Sequence, residues 1–291
     1  MSKKQQHIKN QSDREKETMR MIPGATITWD KSKEEVWSEM EKRMESAEIP
    51  DKKVIFAPWV KLAAAAVITL LIGISAFMQL YTKTIRISAG EHSSIYLPDN
   101  SQVKLNARSA LSYKPFIWKF SRKVKFEGEA YFEVQKGKKF EVLSDLGKTT
   151  VLGTSFNIYA RKNQYNVTCI TGSVKVMERT NRKKVVLSPD QKAELTAKGT
   201  LQVISGINTE QTLSWLSNRF SFTSVPVKQV FEEIGRQYNV KISILGNIDK
   251  IYTGHFSKVK SADDALNIVC RPLNLNIVRK SQNEYVISGK K

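Results

Sequence analysis

The sequence predicts a multidomain, single-pass membrane protein with a short helical N-terminal tail, an all-β domain and a small α/β domain. Three observations indicate this class. An uncharged apolar run extends from Leu62 to Thr82, a period-two alternation of apolar residues follows it, and a strand–helix–strand pattern occurs twice near the C-terminus. The expected segments are the tail 1–60, the span 61–82, the β domain 84–205, a connector 206–218 and the α/β domain 219–291.

The uncharged run is long enough to cross a membrane. As a helix rising about 1.5 Å per residue, it spans roughly the 30 Å of a bilayer's hydrocarbon core. Trp59 and Tyr81 lie at its ends, where amphipathic rings favour the headgroup layer. The alternative is a buried core helix, but a soluble helix of this length nearly always has one polar face. Because about sixty residues precede the run, we expect a membrane span and not a cleaved signal peptide.

The tail contains one predicted amphipathic helix, at about residues 33–48. Ser32 and Glu35 have the spacing of a capping box, and Pro50 ends the pattern. Four large apolar residues recur at helical spacing: Val36, Trp37, Met40 and Met44. The helix could rest on the membrane surface, but its polar face is acidic, whereas interfacial helices favour Lys and Arg. We therefore expect this apolar stripe to dock into a partner's groove.

The net charge of +19 is concentrated after the span. Residues up to Lys61 contain 13 of the 47 Lys and Arg and 11 of the 28 Asp and Glu, which leaves 34 and 17 beyond it. This excess fits an acidic partner, such as nucleic acid, anionic lipid or a cell-wall polymer, or else a solvated basic surface. The basic residues are scattered, and no zinc-finger spacing or RNP motif occurs, so we expect no direct contact with nucleic acid.

No group of residues forms a pattern typical of a catalytic, metal or cofactor site. Cys169 and Cys270 fall in different predicted elements, and the three histidines, His7, His92 and His255, lie in three different regions. The sequence therefore predicts two buried free cysteines, no metal, no cofactor and no enzymatic turnover.

The region after the span alternates with a period of two. Between Lys123 and Val134, the even positions are apolar or small and the odd positions are mostly charged. This pattern predicts one strand, or two strands bent at Gly128, with one face buried. Further short runs of this kind follow at regular spacing, with turn residues between them, as in an all-β domain.

The C-terminal region contains one pattern twice, and each copy predicts a strand, a helix and a strand. The apolar residues of the two helices are three and four positions apart. Ser261 and Asp264 have capping-box form, and Tyr285 to Ile287 offer a last strand. Two such units packed together predict a small α/β sandwich with helices over a sheet.

Three blocks of the β region carry a family resemblance. They are residues 97–106 (LPDNSQVKLN), 126–134 (FEGEAYFEV) and 151–157 (VLGTSFN). In order and spacing they resemble the FecR-type anti-sigma regulators of bacteria. The sequence departs from the family at residues 188–191 (SPDQ), where a Pro-Gly-Gln turn is usual. The C-terminal pattern resembles the short domain at the N-termini of secretins and TonB-dependent receptors, which is usually a protein-binding module.

The resemblance implies a signal transducer in the bacterial cytoplasmic membrane, with its N-terminus in the cytoplasm and its C-terminus in the periplasm. The tail would bind an extracytoplasmic-function sigma factor, as an anti-sigma factor or sigma regulator. The periplasmic part would sense the signalling domain of a TonB-dependent outer-membrane receptor, as in the control of iron or glycan uptake. A rival interpretation is an anchored periplasmic module that holds an acidic envelope polymer through its basic surface.

The resemblance also implies a site of self-cleavage at Gly153-Thr154, because some family members are cut at a Gly-Thr pair in this block. A threonine hydroxyl can attack the preceding carbonyl and convert the amide into an ester, which water then opens. Glycine tolerates the strained backbone that this attack requires. The alternative is that Gly153 forms a bulge or turn between two strands and that Thr154 is an ordinary strand residue.

Overall fold

The computed structural model describes residues 30–46, 58–180, 182–196 and 198–290. Two compact units make up the chain, Met1–Ala64 and Ala65–Lys291.

Helix α1 spans Lys33–Ser46 and begins at the predicted capping box. The Ser32 amide donates to Glu35 Oε2 at 2.9 Å, and the Glu35 amide donates to Ser32 Oγ at 3.2 Å. Two backbone N–H groups that lack partners inside the helix are thereby satisfied. The expected last residues of this helix, 47 and 48, and Pro50, which was expected to end it, lie outside the described residues.

Helix α2 spans Pro58–Leu80, and its segment Trp59–Leu80 is long and apolar enough to cross a membrane. None of that segment is buried, and Thr69 Oγ1 donates to the Ala65 carbonyl at 2.8 Å, which satisfies the hydroxyl within the helix. The sequence predicted a span from Leu62 to Thr82, and this helix overlaps most of it. The helix begins earlier and ends at Leu80, because strand β1 pairs from Lys83 onward and the backbone must leave the helical conformation before it.

The β domain contains thirteen strands within the described residues. They are β1 (Lys83–Arg86), β2 (Ser93–Tyr96), β3 (Gln102–Leu105), β4 (Ala110–Tyr113), β5 (Arg122–Glu133), β6 (Phe140–Leu143), β7 (Gly147–Val151), β8 (Ser155–Arg161), β9 (Gln164–Thr171), β10 (Val174–Glu178), β11 (Lys184–Leu187), β12 (Gln191–Leu195) and β13 (Leu201–Ser205). The expectation of an all-β domain here is confirmed.

Two sheets share the long strand β5. One has the order β1-β4-β5-β6-β7-β10-β11, and the other has the order β2-β3-β5-β8-β9-β12-β13. Neighbouring strands are antiparallel except β5 and β6, which are parallel. Their inward side chains form one core, in which the rings of Phe132 and Phe156 stack 5.1 Å apart.

Gly128 is the point where β5 passes from one sheet to the other. Its φ of +119° favours glycine, and an added Cβ would lie 2.6 Å from the Ser109 Cα. Residues before it pair with β4 and β6, and residues from Gly128 onward pair with β3 and β8. The predicted bend is therefore confirmed, within a single strand.

The connector between the domains is structured. It contains helix α3 (Thr209–Thr212) and a 3-10 turn (Ser214–Ser217), and Trp215 of that turn is buried. The sequence predicted only a connector here, because a four-residue helix and one 3-10 turn are too short to show a helical periodicity.

The α/β domain has the predicted order of elements. They are β14 (Arg219–Pro226), α4 (Val227–Tyr238), β15 (Lys241–Leu245), β16 (Ile251–Ser257), α5 (Ala262–Cys270), β17 (Leu275–Ser281) and β18 (Glu284–Gly289). The capping box of α5 is present, since the Asp264 amide donates to Ser261 Oγ at 3.1 Å. Buried apolar residues of both helices form a second core.

The strands of the α/β domain form two small sheets, whereas the sequence predicted one. Strands β14 and β16 form an antiparallel pair, and β18 lies between β15 and β17. The pairing of β15 with β18 is parallel, and that of β17 with β18 is antiparallel. The first strands of the two units therefore pair with each other, while the second strands are joined through the last strand.

Candidate functional site

The apolar stripe of α1 is exposed. Trp37 and Met44 are 62% and 74% exposed, Val36 and Met40 are exposed as well, and the helix has no buried residue. Lys31 and Lys33 border the same face, where they line a shallow cavity with three of the stripe residues. Exposed apolar patches of this kind commonly mark interaction sites. The stripe belongs to the unit Met1–Ala64.

Gly153 and Thr154 connect β7 to β8 in the other unit. Gly153 has a φ of +155°, and a Cβ there would lie 2.7 Å from the Lys136 Cα, so the position requires glycine. Thr154 is buried, and its Oγ1 donates to the Ser173 carbonyl at 3.2 Å. A glycine in a backbone conformation that other residues rarely adopt therefore precedes Thr154. The hydroxyl, however, is held by a main-chain carbonyl, which is not a general base.

A buried polar network joins the β domain to the α/β domain, and Glu129 of β5 is at its centre. Glu129 lies on the face of β5 that the alternation predicted to be exposed, yet it is only 9% exposed. Asn106 Nδ2 donates to Glu129 Oε2 at 2.8 Å, and Asn157 Nδ2 donates to Glu129 Oε1 at 3.1 Å. Ser109 Oγ bonds both the amide and the carbonyl of Glu129 at 3.0 Å.

Helix α4 supplies the other half of this network. Gln237 Nε2 donates to Asn106 Oδ1 of the β domain at 2.7 Å and to Glu233 Oε1 at 2.8 Å. Arg236 pairs with Glu233 at 2.7 Å and reaches Tyr159 Oη of β8 at 3.3 Å. Glu233 and, one helical turn later, Arg236 and Gln237 therefore form a polar face of α4 toward the β domain. Through this face Gln237 bonds Asn106 and Arg236 bonds Tyr159.

His92 and the loop that contains it complete the contact. Its Nε2 lies 3.0 Å from Gln237 Oε1, and its ring packs edge-on against Trp215, with centroids 5.6 Å apart. The Gly90 amide donates to the Arg236 carbonyl at 2.8 Å. Burial lowers the pKa of His92, so the neutral imidazole is favoured.

The two carboxyl groups of the network differ in their acidity. Burial, and next the negative charge of Glu233, raise the pKa of Glu129 to about 7. Burial also acts to raise the pKa of Glu233, but the charges of Arg236 and Arg161 outweigh it, so that pKa lies below its usual value. At neutral pH Glu233 is ionised, whereas Glu129 is close to its midpoint.

A cleft of about 290 Å³ opens beside this network, between the two domains. Its lining includes Asn157 and Tyr159 of β8, Trp215 of the connector, and Glu233 and Gln237 of α4. Sequence reasoning missed this site, since its residues are polar and distant in the chain. A weak signal was available in the spacing of Glu233, Arg236 and Gln237, which places three polar groups on one helix face.

Within the described residues, no group of three or more His, Cys, Asp or Glu could hold a metal ion. Cys169 and Cys270 are both buried and free, as predicted. Burial raises the pKa of Cys169 to about 11 and that of Cys270 to about 12, so both thiols are protonated at neutral pH and unreactive.

Comparison with known proteins yields a consistent result for both domains. The family model of the FecR protein matches residues 83–175, and the model of the FecR C-terminal region matches residues 219–287. The C-terminal match is to this FecR region, and the resemblance to the secretin short domain stays a prediction. No curated protein matches the chain.

Two crystal structures of a candidate anti-sigma factor from Parabacteroides distasonis ATCC 8503 are similar to this chain. They share 27% and 26% sequence identity with it, and both have a TM-score of 0.66. Each similarity covers 72% of this chain and 100% of the other. Both family matches and this structural likeness agree, and the chain therefore belongs to the FecR family of anti-sigma regulators.

Proposed function

We propose that this protein is a single-pass regulator of an extracytoplasmic-function sigma factor in the cytoplasmic membrane. The observation that carries the proposal is the order of parts along the chain. An amphipathic helix with an exposed apolar stripe precedes a candidate span, and two FecR-family domains follow it. In this arrangement the tail faces the cytoplasm, where sigma factors act, and the two domains face the periplasm.

The sigma-binding surface in this proposal is the stripe of α1: Val36, Trp37, Met40 and Met44. Support comes from their exposure on a helix with no buried residue. Large apolar side chains at the centre of an interface often cost about 2 kcal/mol or more when truncated, which weakens binding roughly 30-fold.

Purification of the tagged full-length chain from its own bacterium, with mass spectrometry of what is retained, tests this step. We expect a sigma factor in the wild-type sample and its loss in Trp37→Ala. Lys42→Ala is the matched control, because Lys42 is exposed on the opposite face of α1. A sigma factor that remains bound in both Trp37→Ala and Met40→Asp would show that the stripe is not the docking surface.

In this proposal the α/β domain senses the external signal, by binding the signalling domain of a TonB-dependent outer-membrane receptor. Among the described residues, β14 and β16 pair only with each other, and β17 pairs only with β18, so each has a free edge. Free edges can accept a partner's strand through main-chain hydrogen bonds. Deletion of residues 219–291 should abolish the response of sigma-dependent transcription to the external signal, and an unchanged response would exclude this role.

Self-cleavage at Gly153-Thr154 is part of the same proposal, as a single-turnover step. Thr154 Oγ would attack the Gly153 carbonyl carbon, the amide nitrogen would leave as the Thr154 amine, and water would hydrolyse the resulting ester. The φ of Gly153 supports it. Purified wild type kept without protease should give a fragment that begins at Thr154; Thr154→Ser should still be cut and Thr154→Ala should not. An intact wild-type chain would leave Gly153 as a turn residue.

A second candidate function is retention of an acidic envelope polymer. It has one specific observation in its favour, a groove of about 720 Å³ lined by five basic residues: Lys125, Lys148, Lys162, Arg179 and Arg182. Three of them are already paired: Lys148 lies 3.1 Å from Glu141, Lys162 lies 2.8 Å from Glu232, and Arg179 lies 4.0 Å from Asp145. Steep loss of polymer binding with added salt would favour this function over sigma regulation.

A further inference from the structure

We propose that the cleft between the β domain and the α/β domain binds a small, uncharged, polyhydroxylated molecule of monosaccharide size. The inference depends on neither the sigma factor nor the receptor. It rests on two buried side chains that line the same cleft and have polar atoms without partners.

The two atoms are Asn157 Oδ1 and Trp215 Nε1, and among the described residues neither has a hydrogen-bond partner. Both side chains are more than nine-tenths buried, and both line the cleft. Buried polar groups in folded proteins are nearly always bonded, to protein, water or ligand. Two such groups among the side chains that line one cleft therefore indicate that another molecule binds there.

The chemistry of the two groups indicates hydroxyls. Trp215 N–H can only donate, so it needs an acceptor. One terminal atom of the Asn157 amide bonds the carboxylate of Glu129, and the other terminal atom has no partner among the described residues. That second atom is an acceptor if it is the oxygen and a donor if the amide is flipped, so that it is the nitrogen. A hydroxyl both donates and accepts, so a molecule with several hydroxyls satisfies Trp215 and either orientation of Asn157.

Most charged side chains that line the cleft are engaged by the protein itself, which favours an uncharged ligand; the exception is Arg219, which is exposed and has no ion pair among the described residues. Arg236 pairs with Glu233 at 2.7 Å, and Lys192 pairs with Glu194 at 2.8 Å. Lys258 lies over the ring of Tyr238, 5.6 Å from its centroid. The remaining lining is rich in neutral hydrogen-bonding side chains: Gln164, Asn166, Thr168, Gln211 and Gln229.

The size and position of the cleft limit the ligand further. Its volume of about 290 Å³ is at the lower end of small-molecule sites, which begin at about 300 Å³. Because Asn157 belongs to the β domain, Trp215 to the connector and Gln237 to the α/β domain, a bound molecule would contact all three. Its binding would add to the contacts that hold the two domains together.

The test is a ligand-observed NMR titration of the full-length chain, held in a detergent without a sugar headgroup and in buffer free of glycerol. The probes are glucose, galactose, mannose, N-acetylglucosamine and myo-inositol, with glucuronate and glucosamine as charged comparators. We expect saturable binding of at least one neutral probe, and a rise in the midpoint of thermal unfolding as that probe is added.

Two variants assign that binding to the cleft. Trp215→Phe removes the indole N–H and keeps an aromatic ring, and Asn157→Ala removes the amide. Each should weaken the dissociation constant about tenfold, as expected for loss of a hydrogen bond. Trp118→Phe is the matched control, because Trp118 Nε1 is also buried and unpartnered but does not line the cleft. Should Asn157→Ala fail to fold, Trp215→Phe still gives the answer.

Three results would overturn the proposal. The first is the absence of saturable binding by any neutral probe at about 50 mM, well above millimolar dissociation constants, which would leave water as the occupant. The second is binding of the charged comparators alone. The third is binding that Trp215→Phe weakens no more than Trp118→Phe does.

Discussion

Helix α1 and the interface between the β and α/β domains depart from the usual distribution of residues in opposite ways. The helix exposes Trp37 and Met44, whereas the interface buries Glu129 and Arg236 and partly buries Glu233. Exposed apolar patches and buried charges are the informative exceptions to the general rule of burial. The first indicates a surface whose partner is another molecule. The second indicates a contact within the chain, in which each charge already has a partner.

The largest expected effect comes from breaking the buried interface. Glu233→Ala would leave Arg236 without its 2.7 Å partner and Gln237 without one of its acceptors. Removal of one member of a buried ion pair costs about 3–5 kcal/mol. We expect a loss of that size in the free energy of unfolding, measured by urea denaturation of the full-length chain.

Glu232→Ala is the control for this variant. Glu232 precedes Glu233 in the same helix. Its 2.8 Å partner, Lys162, is 74% exposed, and its carboxylate lies 3.9 Å from Arg236, farther than the 2.7 Å of Glu233. Exposed ion pairs contribute about 0–1 kcal/mol. Equal losses in the two variants would show that the buried network has no special part in stability.

A smaller effect is expected from pH. The pKa of Glu129 is raised to about 7 in the folded chain, so the folded state binds more protons than the unfolded state between about pH 4.5 and 7. Stability should therefore fall as pH rises through this window. In Glu129→Gln the fall should be absent.

The measurement is the difference in unfolding free energy between wild type and Glu129→Gln, at pH 5 and at pH 7.5. The comparison with Glu129→Gln is necessary because His92, whose pKa burial lowers, acts with the opposite sign near pH 6. We expect a relative loss of about 1–3 kcal/mol in wild type at the higher pH. Parallel pH profiles in the two proteins would contradict the raised pKa.

The smallest expected effect is on the stripe. Trp37→Ala should change the free energy of unfolding by no more than about 0.5 kcal/mol, since the side chain is 62% exposed. Differential scanning calorimetry of the full-length chain measures this. A large loss of stability would mean that Trp37 packs within the folded chain, and the contrast between the two regions would then disappear.

Local signals in the sequence predicted much of the fold. The capping boxes at Ser32 and Ser261, the bend at Gly128 and the alternation along β5 each depend on residues a few positions apart. Such signals can be read directly from a chain, because the physics that produces them is local.

The burial of Glu129 could not be predicted in this way. The alternation along β5 shows which side chains share a face, but α4, which covers one of those faces, follows about a hundred residues later. Nothing in the neighbourhood of Glu129 indicates that Gln237 and Glu233 will be placed over it. The cleft was missed for the same reason, since Asn157 and Trp215 are far apart in the sequence and line one cleft only in the folded chain.

In the proposed topology, the tail and the two FecR-family domains lie on opposite sides of a membrane. Fusion of a reporter that is active only in the cytoplasm tests it directly, at residue 55 and, separately, after residue 291. We expect activity for the first fusion and none for the second, with both proteins present in the membrane fraction. Activity of the second fusion and silence of the first would contradict it, and the domains would then face the cytoplasm.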